Sequence, residues 1–463
     1  MKVLLVIYDN GSLITWFPLG LAYISAVLRK HGHEVTIYQQ DQYHYPEEHL
    51  TEYLNTHYFD VIGLGIIAGY WQYKRMLSIS RAINASKQRP FYIMGGHGPS
   101  PEPEYFLRKS GADFVVIGEG ENTIIDLLDQ IEIGRNYEQV DGIAFIDSND
   151  KCIITKPREQ IKDIDTLPFP AWDLFPMDYY ALIREPNIIN SERCFPMVSG
   201  KGCMHKCAFC YRLDKGIRIR DNESIIEEMT ILNKKYGINY IAFDDELLMV
   251  SEARTIGLSE AIIKSGLKIK WNCQGRLNYA KPEVLKAMKA AGCVWIGYGI
   301  ESYDDDVLEK MNKRLTVAEI ESGIKATLAE GISPGFNIIF GSVGDTKETL
   351  DKGINFLLKY DDHSQLRTIR PVTPYPGSPL YYLAIEKGLL KDCADFYENK
   401  HLNSDLMAVN FTELSDEKFY DCLFRANKTL LENYTKHKLE SNIRAFEKLY
   451  FERDVSFRGL RGT

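Results

Sequence analysis

Gly202-Cys203-Met204-His205-Lys206-Cys207-Ala208-Phe209-Cys210-Tyr211 is the stretch on which the reading of this chain turns. Three thiolates within eight residues can wrap one face of a cubane iron–sulfur cluster and leave its fourth iron without a protein ligand. An open iron is where a substrate binds. Zinc is the rival occupant, but a closed structural site takes four ligands, and the fourth would have to be His205 or a distant residue. Three buried but unligated cysteines are the remaining reading.

Working outward, the motif directly follows a short apolar run and opens a regular series. Strands are expected at about 197–200, 238–243, 269–273, 294–299, 335–340 and 366–371. Helices near 224–236, 252–265, 282–291, 305–311 with 317–330, and 347–360 separate them. Six strand–helix units fit a partial or complete parallel barrel, (β/α)6 in its partial form. Upstream, β-branched runs at 3–8, 34–38, 61–67, 91–94 and 114–117 alternate with helices at about 20–30, 47–56, 70–84, 102–110 and 122–131. Near-continuous apolar strands separated by helices indicate a parallel sheet covered on both faces, a doubly wound domain of flavodoxin-like size.

The expected organisation is thus a doubly wound domain over 1–145, a proline- and aromatic-rich linker over 146–193, the barrel over 194–380 and a helical cap over 381–463. In doubly wound sheets ligands sit beyond the carboxyl ends of the strands. Those ends carry Asp9-Asn10-Gly11-Ser12, Gly65 to Gly69, Gly95-Gly96-His97-Gly98 and Gly118-Glu119-Gly120-Glu121. Glycine at each permits close backbone approach, as a large flat or phosphate-bearing ligand requires, although glycines also simply end strands.

With 463 residues the chain supports two or three full cores. The net charge of −9 is scattered, which gives no footprint for nucleic acid or an anionic membrane surface. No apolar run reaches the roughly 18 residues of a membrane span. The start at 3–8 runs into Asp9 and Asn10, which reads as a buried strand and not a signal peptide. Nine cysteines, of which only three are clustered, make a poor disulfide framework, so a reducing, cytoplasmic compartment is expected.

Cys203-x-x-x-Cys207-x-x-Cys210 at the start of a β/α barrel resembles the radical S-adenosylmethionine superfamily. The resemblance implies a four-iron cluster whose free iron chelates S-adenosylmethionine, and an injected electron that breaks the sulfonium bond to give a 5′-deoxyadenosyl radical. It implies an external low-potential electron donor. Phe209 resembles the aromatic that packs near the adenine. Asp245 and Glu246 follow the second strand, Gln274 and Arg276 the third, and Glu301 the fourth, at carboxyl ends where barrel sites are built. Arg276 suits the ligand's carboxylate, and Glu301 or Glu246 its ammonium or ribose hydroxyls. Each of these side chains alone also reads as a helix cap or a surface ion pair. Gly341 to Thr346 departs from the family's glycine-proline-glycine turn, whereas Pro374 to Pro379 resembles the turn after its sixth strand.

The domain in front resembles the cobalamin-binding domain of one large subfamily, through Pro18-Leu19-Gly20-Leu21, Gly32-His33-Glu34-Val35, Gly95-Gly96-His97 with Pro101-Glu102, and Gly118 to Glu121. Asn10, Gly11, Ser12, Leu19, Gly65, Tyr70, Trp71, Gly95, Gly96, His97, Glu119, Gly120 and Glu121 are the corrinoid-binding residues this implies. The Asp-x-His-x-x-Gly signature that supplies a cobalt-ligating histidine is absent, so a base-off corrinoid is expected, with Tyr70 and Trp71 as candidates to shield the lower face. Both also read as packing aromatics.

Together these resemblances imply a cobalamin-dependent radical enzyme, most simply a C-methyltransferase acting on an unactivated carbon of a small molecule, lipid or peptide. Radical cyclisation or ring rearrangement without methyl transfer is the alternative. Methylthiolation is set aside because relatives with that activity carry a second three-cysteine cluster, and only Cys152 and Cys194 precede the motif here. The alternative from another class is a non-catalytic iron–sulfur or zinc binding protein, and the polar set around the open iron, which a structural site does not need, is the feature that discriminates; a plain corrinoid carrier has no use for the cysteines.

Overall fold

The structure is a computed structural model that describes residues 1–11, 16–134, 136–189 and 191–456. The N-terminal sheet contains β1 (Lys2–Ile7), β2 (Glu34–Gln39), β3 (Val61–Gly65), β4 (Phe91–Gly95) and β5 (Phe114–Val116), all parallel in the order 2-1-3-4-5. Every residue of β5 and all but the ends of β1, β3 and β4 are buried, because helices cover both faces. The strand order reverses between β1 and β3, and ligands bind at the carboxyl ends beside such a switch point.

The sheet continues past its expected end. β6 (Ile143–Ile146) adds antiparallel to β5 and β7 (Cys152–Ile154) antiparallel to β6, so the sheet crosses the expected boundary at 145 and takes in the start of the expected linker. Asp147 closes their hairpin by accepting from the Asn149 and Lys151 amides at 2.9 and 2.8 Å, an Asx turn between two apolar runs.

In the second sheet β8 (Cys194–Met197) precedes a two-residue ribbon, β9 (Gly200–Lys201) against β10 (Arg218–Ile219). Then come β11 (Tyr240–Phe243), β12 (Lys270–Gly275), β13 (Cys293–Glu301), β14 (Ser333–Phe340) and β15 (Ile369–Pro371). The parallel order is 8-11-12-13-14-15, with β8 and β15 as unjoined edges, which is a partial barrel of six strands. The first barrel strand lies three residues before its expected place. Residues 200–201 leave the barrel because Gly200 and Gly202 let the chain turn: a Cβ on Gly202, at φ +86°, would stand 2.5 Å from the Gly216 carbonyl.

Glycine is also required inside the barrel. A Cβ on Gly335 would lie 2.1 Å from the Trp295 ring, which fills the space over β14. Gly335→Ala is therefore expected to lower stability by about 1–3 kcal/mol through overpacking, read as a shift of the denaturant midpoint at unchanged m.

The region expected as a cap is shared between the two sheets. Tyr381, Cys393, Phe396 and Tyr397 join the core of the N-terminal domain, where Tyr397 stacks on Tyr73 at 4.8 Å. The helix Asp416–Phe451 lays Phe419, Leu423, Ala426 and Leu430 on the barrel. Its Asn427 amide pairs with both the N–H and the C=O of Ile369 at 2.8 and 2.9 Å, satisfying edge strand β15. Among the described residues no helix is long and apolar enough to cross a membrane.

His401 ends this bridge, 1 % exposed, packed on Phe396, Tyr375 and Tyr70, with no hydrogen-bond partner for either ring nitrogen. Burial pushes its pKa down from 6.5 to about 4. The folded state therefore binds fewer protons than the unfolded state below pH 6.5, and stability is lost as pH falls towards 4. The expected loss from this group between pH 7.5 and 4.5 is about 2–3 kcal/mol. His401→Phe should flatten the stability–pH curve by that amount in urea titrations at the two pH values.

Candidate active site

The ribbon closes the loop that carries the cysteines. The Ala208 amide donates to the Met311 carbonyl (2.8 Å), the Asn312 side chain to the Lys206 carbonyl (2.7 Å), and the Leu380 amide to the Ala208 carbonyl (2.8 Å). The loop is thus held from the residues just after the helix Asp305–Lys310 and from the first turn of the helix Pro379–Glu386. Cys207 is buried, Cys203 half-buried, and Cys210 is reached by solvent although protein encloses it, which pushes its thiol up to about 12. Among the described residues no three His, Cys, Asp or Glu side chains converge on one ion position. A cubane cluster instead takes each thiolate at a different iron, which matches a donor set spread along one loop.

Beside the loop lies a nearly dry charged floor. Lys313 Nζ pairs with Glu301 Oε1 at 2.9 Å and stands 5.7 Å from the centre of the Phe209 ring. Glu301 has φ +67°, and the β13–β14 register shifts between Gly299 and Glu301, a bulge that re-aims the carboxylate. A Cβ on Gly299 would stand 2.4 Å from Glu301 Oε1 and displace the carboxylate from this position. Arg276 donates to the carbonyls of Lys313 and Arg314, while its buried Nε has no partner. An orphaned guanidinium N–H beside a lysine–glutamate pair suits a zwitterionic ligand. Lys313 was not among the expected residues; its sequence signal is the run Lys310 to Arg314 that follows the helix after β13.

Asp245 is not open to a ligand as expected. Its carboxylate accepts from the Ser199 amide at 2.6 Å and from the Ser199 hydroxyl, bracing β11 to the turn after β8. Burial, opposed by those bonds, leaves its pKa at about 6. Asp244 and Glu246 do reach solvent although protein surrounds them: burial first, then Glu185 for Asp244 and Asp214 for Glu246, raises each to about 7. Gln274 occupies the space that the missing side chain of Gly297 leaves.

At the first sheet's ligand edge, Trp71 Nε1 donates to the Asp9 carbonyl at 3.3 Å and Arg75 pairs with the Asp9 carboxylate at 3.2 Å while stacking on Trp71. Trp71 is therefore pinned across the β1/β3 switch point, beside Asn10 and Gly11 (φ +71°). Tyr70 is drawn towards His401 instead. Gly95 and Gly96 serve the contact between two loops: Gly98 N donates to the Ile66 carbonyl at 3.0 Å, and a Cβ on Gly96 would stand 2.5 Å from that same oxygen. A Cβ on Gly65 would touch Leu21, one on Gly120 would press on Ile24, and Leu19 starts the helix Leu19–Lys30 packed towards the barrel. Ser12 lies outside the described residues. Glu119 and Glu121, expected at the corrinoid, are taken up by Arg218 and Lys201 of the ribbon.

The two ligand edges meet. His97, reached by solvent yet enclosed so that burial lowers its pKa, lies edge-on to Tyr211 with ring centres 6.4 Å apart, one residue from Cys210. Gly377 of the turn after β15 closes the junction, because a Cβ there would strike both Tyr211 and Pro101. A doubly wound domain and a partial barrel with a three-cysteine loop, joined edge to edge, define a two-cofactor enzyme.

Residues 12–128 match the B12 binding domain family and residues 197–357 the Radical SAM superfamily. An uncharacterized methyltransferase of Pyrococcus horikoshii is 32 % identical over 402 residues, 84 % of either chain. An anaerobic magnesium-protoporphyrin IX monomethyl ester cyclase of Rubrivivax gelatinosus is 25 % identical and spans 95 % of this chain and 80 % of its own. Among solved structures, the cobalamin-dependent S-adenosylmethionine radical enzyme OxsB with aqua-cobalamin and S-adenosylmethionine superposes with a TM-score of 0.75 at 17 % identity, over 97 % of this chain and 72 % of that one. The chain belongs to the family of cobalamin-dependent radical S-adenosylmethionine enzymes, whose cofactors are a four-iron cluster, S-adenosylmethionine and cobalamin.

Proposed function

We propose that this enzyme transfers a methyl group to an unactivated carbon of a small-molecule substrate. The observation that carries the reading is the junction of His97 with Tyr211, which brings the corrinoid edge of one domain against the cysteine loop of the other. Cys203, Cys207 and Cys210 would hold the cluster. Lys313, Glu301 and the free Nε of Arg276 would hold the carboxylate and ammonium of S-adenosylmethionine, with Glu246 on the open side. His97, Trp71, Asn10 and Gly11 would line the corrinoid. Bound there, the cluster supplies the electron for sulfonium cleavage and cobalamin supplies the methyl group. The protein's own part is orientation and exclusion of water. Only three of the nine cysteines are clustered in sequence, a poor disulfide framework, which favours a reducing, cytoplasmic compartment and an external low-potential donor.

The test uses S-adenosylmethionine with a deuterated methyl group, a low-potential reductant and a panel of candidate substrates. Labelled methyl on the product and hydrogen from the substrate carbon in 5′-deoxyadenosine establish C-methylation. Hydrogen transfer with an unmethylated, cyclised product would instead establish the activity class of the Rubrivivax relative.

A further inference from the structure

We infer that Glu119 and Glu121 are positioning residues that pin the two ends of the cysteine loop to the corrinoid-side domain and so fix the separation of the two cofactors. The inference rests on the cofactor placement proposed above. Lys201 and Arg218 face each other in the β9–β10 ribbon, at the two ends of the loop that contains all three cysteines. Both reach across to the N-terminal domain. Arg218 Nη1 lies 2.8 Å from each Glu119 oxygen, and Lys201 Nζ pairs with Glu121 and, at 3.3 Å, with Glu119. Glu119 also accepts from the Ile161 amide at 2.9 Å, and Arg218 donates to the Ile161 carbonyl at 2.8 Å, so the linker is locked into the same knot. Asp214, inside the cysteine loop, completes it, paired with Arg218 at 3.0 Å and accepting from Gln160 at 3.2 Å.

Two physical points give this knot a positional role. A two-residue ribbon is too short to hold a loop by its own ladder, since even longer isolated hairpins are marginal in water. The side chains of the four paired residues are between 7 and 19 % exposed. Nearly dry ion pairs add little net stability, because desolvation offsets their attraction, and setting register is the best-attested use of such pairs. Here the register is that of one domain against the other. Glu121 sits in the first turn of the helix Glu121–Asp129, where the helix dipole favours a carboxylate, and Gly118 at φ +79° turns the chain into it.

The test is made on full-length protein loaded with cluster and hydroxocobalamin. Iron content, cobalamin affinity, and the pulsed-EPR distance distribution between reduced cluster and Co(II) cobalamin are compared for wild type, Glu119→Gln, Arg218→Gln and the double variant. Expected are cobalamin affinity within about threefold of wild type, unchanged iron, and a distance distribution that broadens equally in either single variant and no further in the double one. Glu119→Asp should restore a narrow distribution. An unchanged distribution in Glu119→Gln overturns the inference, and so does a loss of cobalamin affinity beyond about tenfold, which would make Glu119 a corrinoid contact. If Glu119→Gln does not fold, Glu121→Gln, which leaves the Arg218 pair intact, is read by the same criteria. A wild-type protein lacking cluster or cobalamin sinks the placement on which the inference rests, a failure distinct from those of the variants.

Discussion

Alanine at Cys203, Cys207 and Cys210 together removes bound iron and lowers reductive cleavage of S-adenosylmethionine by at least about a thousandfold, since the reacting centre itself is lost. The thiols are on a loop tied down through backbone atoms of Lys206 and Ala208 and not through the cysteine side chains. The triple variant therefore keeps the apoprotein fold, and its far-UV circular dichroism should match that of wild-type apoprotein. Retention of iron and cleavage by the triple variant would place the cluster elsewhere.

Lys313→Met should have the second-largest effect, on stability and on the ligand site at once. Lys313 and Glu301 are each 7 % exposed, and removing the ammonium leaves a buried carboxylate without a partner. Such a loss costs about 3–5 kcal/mol. Adding Glu301→Gln removes the uncompensated charge and should recover most of that stability, because a buried pair is worth far less than either half alone costs to strand. Cleavage of S-adenosylmethionine should not recover, because two of the zwitterion's three proposed partners are then gone. Denaturant titration gives the first quantity and 5′-deoxyadenosine formation the second. A single variant within about 1 kcal/mol of wild type would mean that the pair is effectively solvated.

The parts of the molecule that local pattern encodes were legible in the sequence. Parallel strands buried on both faces announce themselves as apolar runs, and the helices Glu47–Thr56, Tyr70–Asn84 and Glu252–Ser265 have the bounds their periodicity predicts. The three cysteines stand on one loop at the carboxyl end of a barrel strand, as their spacing predicts. What escaped depends on partners distant in the chain. The β9–β10 ribbon is two residues wide and has no periodicity to detect. Glu119 meets Arg218 across 99 positions, so a motif that reads as a ligand loop is a domain contact. Gly96 is required because the loop after β4 presses on Ile66, a steric reason that a glycine pair does not reveal. Asp245 and Glu246 are neighbours with opposite fates, one consumed by Ser199 and one exposed to solvent, which follows from the path of the loop after β11 that only the fold displays.

Methyl transfer as proposed requires one chain to hold a cluster and a corrinoid at facing edges. Iron, sulfide, zinc and cobalt per chain, measured on protein purified anaerobically after expression with cobalamin supplied, test it most directly. Expected are a full four-iron, four-sulfide cluster and one corrinoid per chain. Stoichiometric zinc with neither iron nor cobalt would contradict it.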